Sequence, residues 1–336
     1  MNVGTKENDN ELLIQNNEVN KKNSVVKVDP QNDDAEGILE KPDTGVATLI
    51  GKPTSELVLE FGKPSRVDYS AYGYNWWIYN QNDLTYLQAA VKDGKVVSVY
   101  GLGEQLNVQP FRIGQSVEEI YKTVFVESSV ELSTDKSSYR FELSEDDMHM
   151  RPLVKIGDIY AVIYLDKFTS QISSIRFIDD ETLIKHRPYE LIYRGELTED
   201  VVLSDNEWAA VEAGDRKQIF DITNIIRKRH GLNPLLWDDQ TAQVAYGHSQ
   251  EMFTEDYFSH TSPNNGELGD RLAKGDVQFL MAGENIAAHY VDGVAAVSGW
   301  LNSKGHRETL LNEEFTHLGV GVYQKYFTQN FIKKME

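Results

Sequence analysis

Hydrophobic residues recur at helical spacing along much of the last third of the chain. Three stretches carry such an apolar stripe: Asp215–Arg229, Asp238–Tyr257 and Val291–Asn302. Two short apolar runs follow them and meet at a turn: Leu318–Tyr323 and Tyr326–Ile332. The first pattern predicts amphipathic helices and the second predicts paired strands. Helices that flank a small antiparallel sheet predict a three-layer α-β-α sandwich for residues 215–336.

A different pattern occurs twice between residues 46 and 180. Ile50–Val58 is echoed by Ile113–Ile120, and in each copy a Gly precedes a Ser or Thr cap, an acidic turn and apolar residues at helical spacing. Alternating segments rich in Tyr and Val follow each copy, and Asp93-Gly94 between two of them predicts a hairpin turn. We therefore expect two repeats, about 46–105 and 109–180, each a helix packed on an antiparallel sheet.

Changes in composition complete the domain organisation. Residues 1–43 are rich in Asn, Asp, Glu and Lys and predict a disordered polar linker. Residues 44–185 form the predicted repeat domain, residues 186–214 a connector, and residues 215–336 the C-terminal domain. A chain of 336 residues suits two domains and a tail, and the predicted fold class is α+β.

The overall charge restricts the classes of partner. A formal net charge of −20 argues against nucleic acid and against an anionic membrane surface, because both are bound through clustered Lys and Arg. The chain has no cysteine, which excludes disulfides and thiolate sites. No window reaches the roughly 18 apolar residues of a membrane span, and the N-terminus has no basic-then-apolar signal pattern. Taken alone, these features predict a cytoplasmic protein.

Three polar side chains in the C-terminal part are candidates for chemistry. His260, Glu284 and His306 stand far apart in the sequence, each beside turn-forming residues. Neutral imidazole is the commonest metal ligand in proteins, and a carboxylate adds an oxygen donor. The sequence contains neither His-Glu-x-x-His nor Gly-x-Ser-x-Gly, so neither a zincin nor an α/β-hydrolase is indicated.

The motifs around these residues resemble those of a known family. The segments that carry the resemblance are Asn224–Arg227, Asn233–Trp237, Phe258–Pro263, Gly283–Ile286, Trp300–Arg307 and Leu318–Gly321. They resemble the CAP superfamily, with the SCP or pathogenesis-related-1 fold, in its cysteine-free bacterial form. The segment before them resembles the CAP-associated N-terminal domain of Gram-positive bacteria, whose position in the chain it shares.

The resemblance implies a cavity and its lining. His260, Glu284 and His306 match three of the four polar residues of the CAP cavity, with the thirteen-residue interval from His306 to Gly319 that the family shows. The fourth, a second glutamate three residues after the family's tryptophan, is expected at Ser303 and is missing. The resemblance implies zinc or another divalent cation at His260, Glu284 and His306, with four supporting residues: Ser303, Asn285, Trp300 and Arg307.

The function implied is that of an extracytoplasmic CAP protein of undefined activity that binds a divalent metal ion or small polar ligand. We expect it to be extracellular, or anchored to the membrane facing outward through an anchor outside this sequence. The N-terminal domain is expected to be an interaction module for a protein, a peptide or a cell-envelope ligand.

Other hypotheses remain open at this point. One is a metal-dependent hydrolase or peptidase with Glu284 as the general base, and another is a lipid- or sterol-binding protein. Ser303, His306 and Glu284 could mimic a catalytic triad, although a serine there more simply turns the chain. A polar network that only holds loops together would contain the same residues.

Overall fold

The computed structural model describes residues 13–15, 19–21 and 39–335. The strands, in chain order, are β1 Leu13–Ile14, β2 Val19–Lys21, β3 Arg66–Tyr69, β4 Asn75–Tyr79, β5 Leu87–Lys92, β6 Lys95–Gly101, β7 Ser129–Ser133, β8 Ser138–Glu142, β9 Leu153–Ile156, β10 Ile159–Asp166, β11 Gln171–Ile178, β12 Glu190–Arg194, β13 Leu236–Trp237, β14 Phe279–Ala288, β15 His317–Tyr323 and β16 Tyr326–Lys334. The helices are α1 Thr54–Phe61, α2 Val117–Thr123, α3 Glu145–Met150, α4 Asp180–His186, α5 Asp205–Arg229, α6 Asp239–Thr254, α7 Leu268–Lys274, α8 Gly293–Asn302 and α9 Lys304–Leu310.

These elements form two compact units. The N-terminal unit is Asn17–Val202, and the C-terminal unit is Leu203–Glu336 together with Met1–Asn16. In the described residues the N-terminal unit contains two sheets and the C-terminal unit one.

The N-terminal unit contains one large antiparallel sheet to which both predicted repeats contribute. Its strand order is β3-β4-β5-β6-β11-β10-β9. The join is between β6 and β11, where Val99 pairs with Phe177. The predicted hairpin at Asp93-Gly94 is confirmed, because both residues have positive φ and β5 pairs with β6 across them.

The strands of the two predicted repeats lie side by side in this one sheet, with β3 to β6 from the first repeat and β9 to β11 from the second. Leu57 of α1 and Ile120 of α2 pack into the same hydrophobic core as Phe177, so one core covers both helices. A shared core buries more apolar surface than two small sheets could bury alone. Strands β7 and β8 do not belong to the large sheet. They form a second sheet with β12 and β2, in the order β2-β12-β8-β7.

The C-terminal unit is a three-layer α-β-α sandwich, as predicted. Its sheet has the order β1-β14-β16-β15-β13, with β14, β16 and β15 antiparallel. Strand β15 contacts both α5 and α6; α5 in turn packs on α8, and α6 on α7. The sheet thus lies between two helical layers.

Two glycines of β15 let α6 lie directly on the sheet. A Cβ built on Gly321 would lie 2.0 Å from the backbone nitrogen of Tyr246, and one on Gly319 would lie 2.2 Å from that of Ala242. Any side chain at either position would push α6 away. The Gly-x-Gly pattern in β15 therefore fixes the position of α6, the helix that leads into the loop carrying His260.

Several predicted boundaries change. Helix α5 begins at Asp205, not at Asp215, because Ser204 and Glu207 form a capping box and Gly214 continues the helix. The last ten residues of the predicted connector are therefore helical. Of the predicted linker, most lies outside the described residues, but Leu13–Ile14 pairs in parallel with β14 and Val19–Lys21 with β12.

Candidate functional site

Three segments of the C-terminal unit bring the predicted site residues together. Glu284 lies in the middle of β14, His260 lies in the loop between α6 and α7, and His306 lies in the first turn of α9. The Nδ1 atom of His260 lies 2.9 Å from Oε1 of Glu284, and the ring centres of His260 and His306 are 6.4 Å apart. Residues separated by 46 positions along the chain thus form one cluster.

Glu284 is buried and has both of its oxygens paired. Oε1 accepts a hydrogen bond from His260, and Oε2 accepts one of 2.5 Å from Arg271. Burial by itself would raise the pKa of this carboxyl. The positive charge of Arg271, with smaller contributions from His248 and His260, outweighs burial and lowers the pKa to about 2. Glu284 is therefore a permanent anion at neutral pH.

This environment bears on the role predicted for Glu284. A general base needs a pKa near the working pH, and a free oxygen within reach of a proton. With its pKa lowered to about 2, the carboxylate of Glu284 is a weak base at neutral pH, and each of its oxygens already accepts one hydrogen bond. The side chain is placed to hold the ring of His260, as carboxylates behind histidines often do. Its assignment as metal ligand or general base stays a prediction.

Arg271 is a fourth member of the cluster, and the sequence analysis missed it. It lies on α7 with 4% of its side chain exposed. Its Nη1 donates to the backbone oxygens of His260 and Gly266, at 2.7 and 2.8 Å, while Nη2 donates to Glu284. Arg271 thus joins the carboxylate to the loop that carries His260. An arginine on a short helix gives no sequence signal that distinguishes it from a solvated surface charge.

His260 has one ring nitrogen paired and one without a partner. Its Nδ1 donates to Glu284, which leaves the Nε2 lone pair available in the neutral ring. Nε2 is buried and has no hydrogen-bond partner among the residues that the structure describes. The side chain as a whole is 28% exposed, so the ring borders solvent.

His306 shows the same arrangement around a different partner. Its Nδ1 lies 2.7 Å from Oγ of Ser303, and its Nε2 is buried without a hydrogen-bond partner in the described part of the chain. Burial, with a smaller effect from nearby His260, lowers the pKa of His306 to about 3. The imidazole is therefore neutral at physiological pH, which is the form that binds metals.

A third histidine of the cluster, His248 on α6, is fully engaged. Its Nε2 donates to the backbone oxygen of Ser259 at 3.0 Å, and its Nδ1 accepts from the hydroxyl of Tyr257 at 3.5 Å. Nε2 also lies 3.9 Å from Oε1 of Glu284. Burial lowers the pKa of His248. This histidine has no free nitrogen to offer a ligand, and it supports the loop through Ser259.

The four predicted supporting residues all lie near the cluster but act on different parts of it. Ser303 contacts the His306 ring, and Asn285 donates to the backbone oxygen of His306 at 3.1 Å. Trp300 donates to the backbone oxygen of Ile286 in β14. Arg307 points to the backbone oxygen of Leu301 and to His230. Ser303 and Asn285 hold His306 itself, whereas Trp300 fixes α8 on the sheet.

The set of free donors is smaller than predicted. Within residues 13–15, 19–21 and 39–335, no group of three or more His, Asp or Glu side chains is arranged to hold a metal ion. The two Nε2 atoms remain as neutral nitrogen donors. A metal ion bound there would have two protein ligands, His260 and His306. Glu284 orients the ring of His260 through its Nδ1 atom, and Ser303 orients the ring of His306 in the same way.

Comparison with known proteins places both units in families. Residues 50–189 match the CAP-associated N-terminal domain, and residues 220–332 match the Cysteine-rich secretory protein family. The uncharacterised membrane protein YlbC of Bacillus subtilis is 50% identical over 293 residues, which cover 87% of this chain and 85% of YlbC. The uncharacterised protein YkwD of the same organism is 38% identical over 120 residues, covering 35% of this chain and 47% of YkwD.

Solved structures agree with this relationship along nearly the whole chain. An extracellular protein containing an SCP domain from Bacillus anthracis strain Ames superposes with a TM-score of 0.84 at 48% identity, over 93% of this chain and 100% of that one. The cysteine-rich secretory protein SAV1118 from Staphylococcus aureus Mu50 superposes with a TM-score of 0.82 at 27% identity, over 97% and 99%.

YlbC is called a membrane protein; in the described part of this chain, no helix is both long and apolar enough to cross a bilayer. The sequence identity to YlbC extends over both units, and each unit matches a family of its own. The chain belongs to the Cysteine-rich secretory protein (CAP) family, in a cysteine-free form that carries a CAP-associated N-terminal domain.

Proposed function

We propose that this chain is an extracytoplasmic binding protein whose CAP domain holds a divalent metal ion between His260 and His306. The observation that supports it is the pairing pattern of the two rings. In each, Nδ1 is held by a neighbouring side chain, and Nε2 is buried with no partner in the described residues. Buried polar atoms in folded proteins are nearly always satisfied, so two unpaired acceptor nitrogens in neighbouring rings favour a bound ion or water between them.

The ring centres of His260 and His306 are 6.4 Å apart. With zinc–nitrogen distances of about 2.0–2.1 Å, one ion would reach both Nε2 atoms in a nearly linear arrangement, and tetrahedral coordination would need the two rings to move closer together. Binding requires the tautomer of His306 in which Nδ1 donates to Ser303 Oγ, since Nε2 must then be free of a proton. A bound divalent ion would supply a Lewis-acidic point with open positions.

Binding is better supported than catalysis. The hydrolase hypothesis relied on Glu284 as a base, and that carboxylate is paired on both oxygens with its pKa lowered to about 2. No contact in the described residues speaks for lipid or sterol capture. The N-terminal unit is then an interaction module for a protein, peptide or cell-envelope ligand.

The proposed location outside the cytoplasm is supported by the relatives. One similar solved protein is described as extracellular and another as secretory, and YlbC as a membrane protein. We propose that this chain also works on the outer side of the membrane.

Isothermal titration calorimetry with zinc tests the metal site. We expect saturable binding to the wild-type chain and none to the double variant His260→Ala, His306→Ala. The variant His186→Ala, which removes a buried histidine of the N-terminal unit, is the matched control and should bind zinc as the wild type does. Equal heats from the wild type and the double variant would reject the metal site.

A further inference from the structure

One edge of the C-terminal sheet is filled by a segment from a remote part of the sequence. Strand β1 lies outermost in this sheet and runs parallel to β14, with Leu13 paired with Ala287 and Ile14 with Ala288. The backbone nitrogen of Gln15 donates to the backbone oxygen of Ala288 at 3.0 Å. In the sequence, the whole N-terminal unit lies between β1 and the remainder of the C-terminal unit. The edge strand is thus supplied from outside the continuous stretch that forms the rest of the sheet.

The attachment of β1 to the sheet is small. Its register with β14 covers two residue pairs, whereas β14 is paired with β16 along nearly its whole length. Gln15 is buried and Leu13 is partly buried. A strand contact this short is marginal by itself, and segments with few contacts open while the rest of a fold stays intact. We therefore expect β1 to leave the edge and return without unfolding of the sheet.

The edge that opens in this way is limited to one end of β14. Alternate residues of a strand direct their backbone groups to the same edge, so Ile286 and Ala288 both face the side of β1. The backbone oxygen of Ile286 already accepts a hydrogen bond from Nε1 of Trp300 at 3.0 Å, which closes the edge at that point. Ala287 and Ala288 are left to pair with an incoming strand. Open strand edges are the places where another chain adds a strand to a sheet.

We propose that two copies of this chain associate by exchanging β1, so that residues 13–15 of each copy pair with β14 of the other. The pairing within one copy already gives the register and the hydrogen bond of the exchanged pair, so the exchange requires no new surface. The effective concentration of β1 near its own sheet, compared with the concentration of the second copy, sets the balance between the two forms. The exchange goes beyond the proposed metal site and does not depend on it.

Disulfide trapping tests the exchange, because the chain has no cysteine of its own. One preparation of the full chain carries Leu13→Cys and another carries Ala287→Cys, since these two positions are register partners in β1 and β14. Register partners on adjacent strands lie within the Cα separation that a disulfide can span. When the two preparations are mixed under mild oxidation, we expect a covalent dimer on a non-reducing gel, in a yield that rises with protein concentration.

Two controls define the background and the register. The Leu13→Cys chain mixed with a Glu314→Cys chain measures random collisions, because the Glu314 side chain is exposed and lies on another part of the surface. This mixture should give less dimer than the mixture with Ala287→Cys. The double variant Leu13→Cys, Ala287→Cys measures pairing within one copy, and at low concentration it should form a disulfide inside the monomer.

Backbone variants at Gln15 test whether the dimer forms through strand pairing. In the Leu13→Cys chain, Gln15→Pro removes the N–H group that donates to Ala288 and should lower the dimer yield to that of the collision control. Gln15→Ala keeps this N–H group and should retain the dimer. Equal yields from the two variants would contradict pairing through the backbone of β1.

Each remaining outcome decides the proposal. A disulfide inside the double variant, with no more dimer from the mixture than from the collision control, would overturn the exchange and leave β1 as an intrachain strand. Absence of both disulfides would also overturn it, because Leu13 and Ala287 would not be register partners. If Ala287→Cys does not fold, sedimentation equilibrium of the cysteine-free chain replaces the gel. A wild-type chain that stays monomeric up to about millimolar concentration, the usual effective concentration of a tethered segment, would then overturn the exchange.

Discussion

Buried histidines occur in both units of the molecule, and their surroundings differ in one respect. In the N-terminal unit, His186 at the end of α4 has a partner on each ring nitrogen: Nε2 lies 2.9 Å from the Tyr74 hydroxyl, and Nδ1 lies 3.4 Å from Nη1 of Arg176. In the C-terminal unit, His260 and His306 are each paired at Nδ1 and left without a partner at Nε2 among the described residues. His186 and His306 are both buried, yet only His186 of these two has a partner on each ring nitrogen among the described residues.

This difference distinguishes histidines that only support the fold from histidines that can still bind a ligand. A histidine paired on both nitrogens has no capacity left for a ligand, and its neighbours already account for its burial. His248 follows the pattern of His186 although it lies beside Glu284, so the distinction is not a property of the unit as a whole. His260 and His306 differ from both, because each keeps a buried Nε2 without a partner among the described residues.

The largest expected effect concerns the ion pair behind His260. Arg271→Leu leaves the Glu284 carboxylate buried without its partner, and breaking such a pair costs about 3–5 kcal/mol. We expect the free energy of unfolding, measured by urea denaturation, to fall by that amount. A loss of this size would show that the Arg271–Glu284 ion pair stabilises the fold around His260 and His306.

An exposed ion pair in the same unit is the control. Lys333 lies 2.5 Å from Glu314, with side chains 40% and 54% exposed. Solvent screens this pair, and Lys333→Leu should cost less than about 1 kcal/mol. A similar loss from both variants would mean that the buried pair has no special role.

Acid sensitivity should distinguish His306 from the satisfied histidines. Burial, with His260, lowers its pKa from 6.5 to about 3 in the folded chain. Between these two values the unfolded chain binds a proton that the folded chain does not, so stability falls as the pH falls. The contribution is about 1.4 kcal/mol per pH unit, or about 3 kcal/mol over two units.

The variant His306→Asn removes this contribution. Its free energy of unfolding should therefore depend less steeply on pH than that of the wild type between pH 6.5 and the pH near 4.5 where carboxyl groups begin to titrate. The stabilisation from Glu284 is present above 4.5 and is lost only as the pH falls through about 2, so it does not interfere. Other histidines cancel in the difference. Parallel curves would contradict a neutral His306.

A smaller effect is expected from the hydroxyl behind His306. Ser303→Ala removes the group that orients the ring and selects its tautomer. Loss of such a contact typically lowers metal affinity about 10–100-fold. Zinc calorimetry measures it, and Ser249→Ala, which removes a buried hydroxyl bonded to Thr328 and Gly321, is the control that should keep its affinity. Equal affinity in both variants would show that Ser303 has no orienting role.

The smallest effect is expected in the N-terminal unit. Tyr74→Phe removes the hydrogen bond to His186, which we expect to cost about 1 kcal/mol of stability. Zinc affinity should not change, because His186 belongs to the scaffold. Altered zinc affinity in this variant would remove the distinction between the two kinds of buried histidine.

The sequence predicted the parts of the fold that have strong periodicity. Helices α6 and α8 and strands β15 and β16 lie within two or three residues of the predicted ranges, because their apolar stripes match the helical and strand periods. Strand β14 was missed although it carries Glu284. Its centre, Gly283-Glu284-Asn285, is polar, and partners elsewhere in the unit make it compatible with a buried strand. Arg271 and His260 pair with Glu284, and Asn285 donates to the backbone oxygen of His306.

The site was predictable in its members but not in its connections. Family spacing identified His260, Glu284 and His306, and the structure brings all three together. The sequence could not show that Arg271 pairs with Glu284, because that contact depends on how α7 packs against β14. Ser303 was expected to support the cavity at the position of the missing glutamate, and its Oγ lies 2.7 Å from Nδ1 of His306, a contact that the spacing alone could not show.

Anomalous X-ray diffraction from crystals of the chain soaked in zinc tests the central claim most directly. We predict one anomalous peak about 2.0–2.1 Å from Nε2 of both His260 and His306, with Glu284 still paired to Arg271. A map with no zinc between the two rings, or with zinc bound to Glu284 in place of His306, would contradict the account.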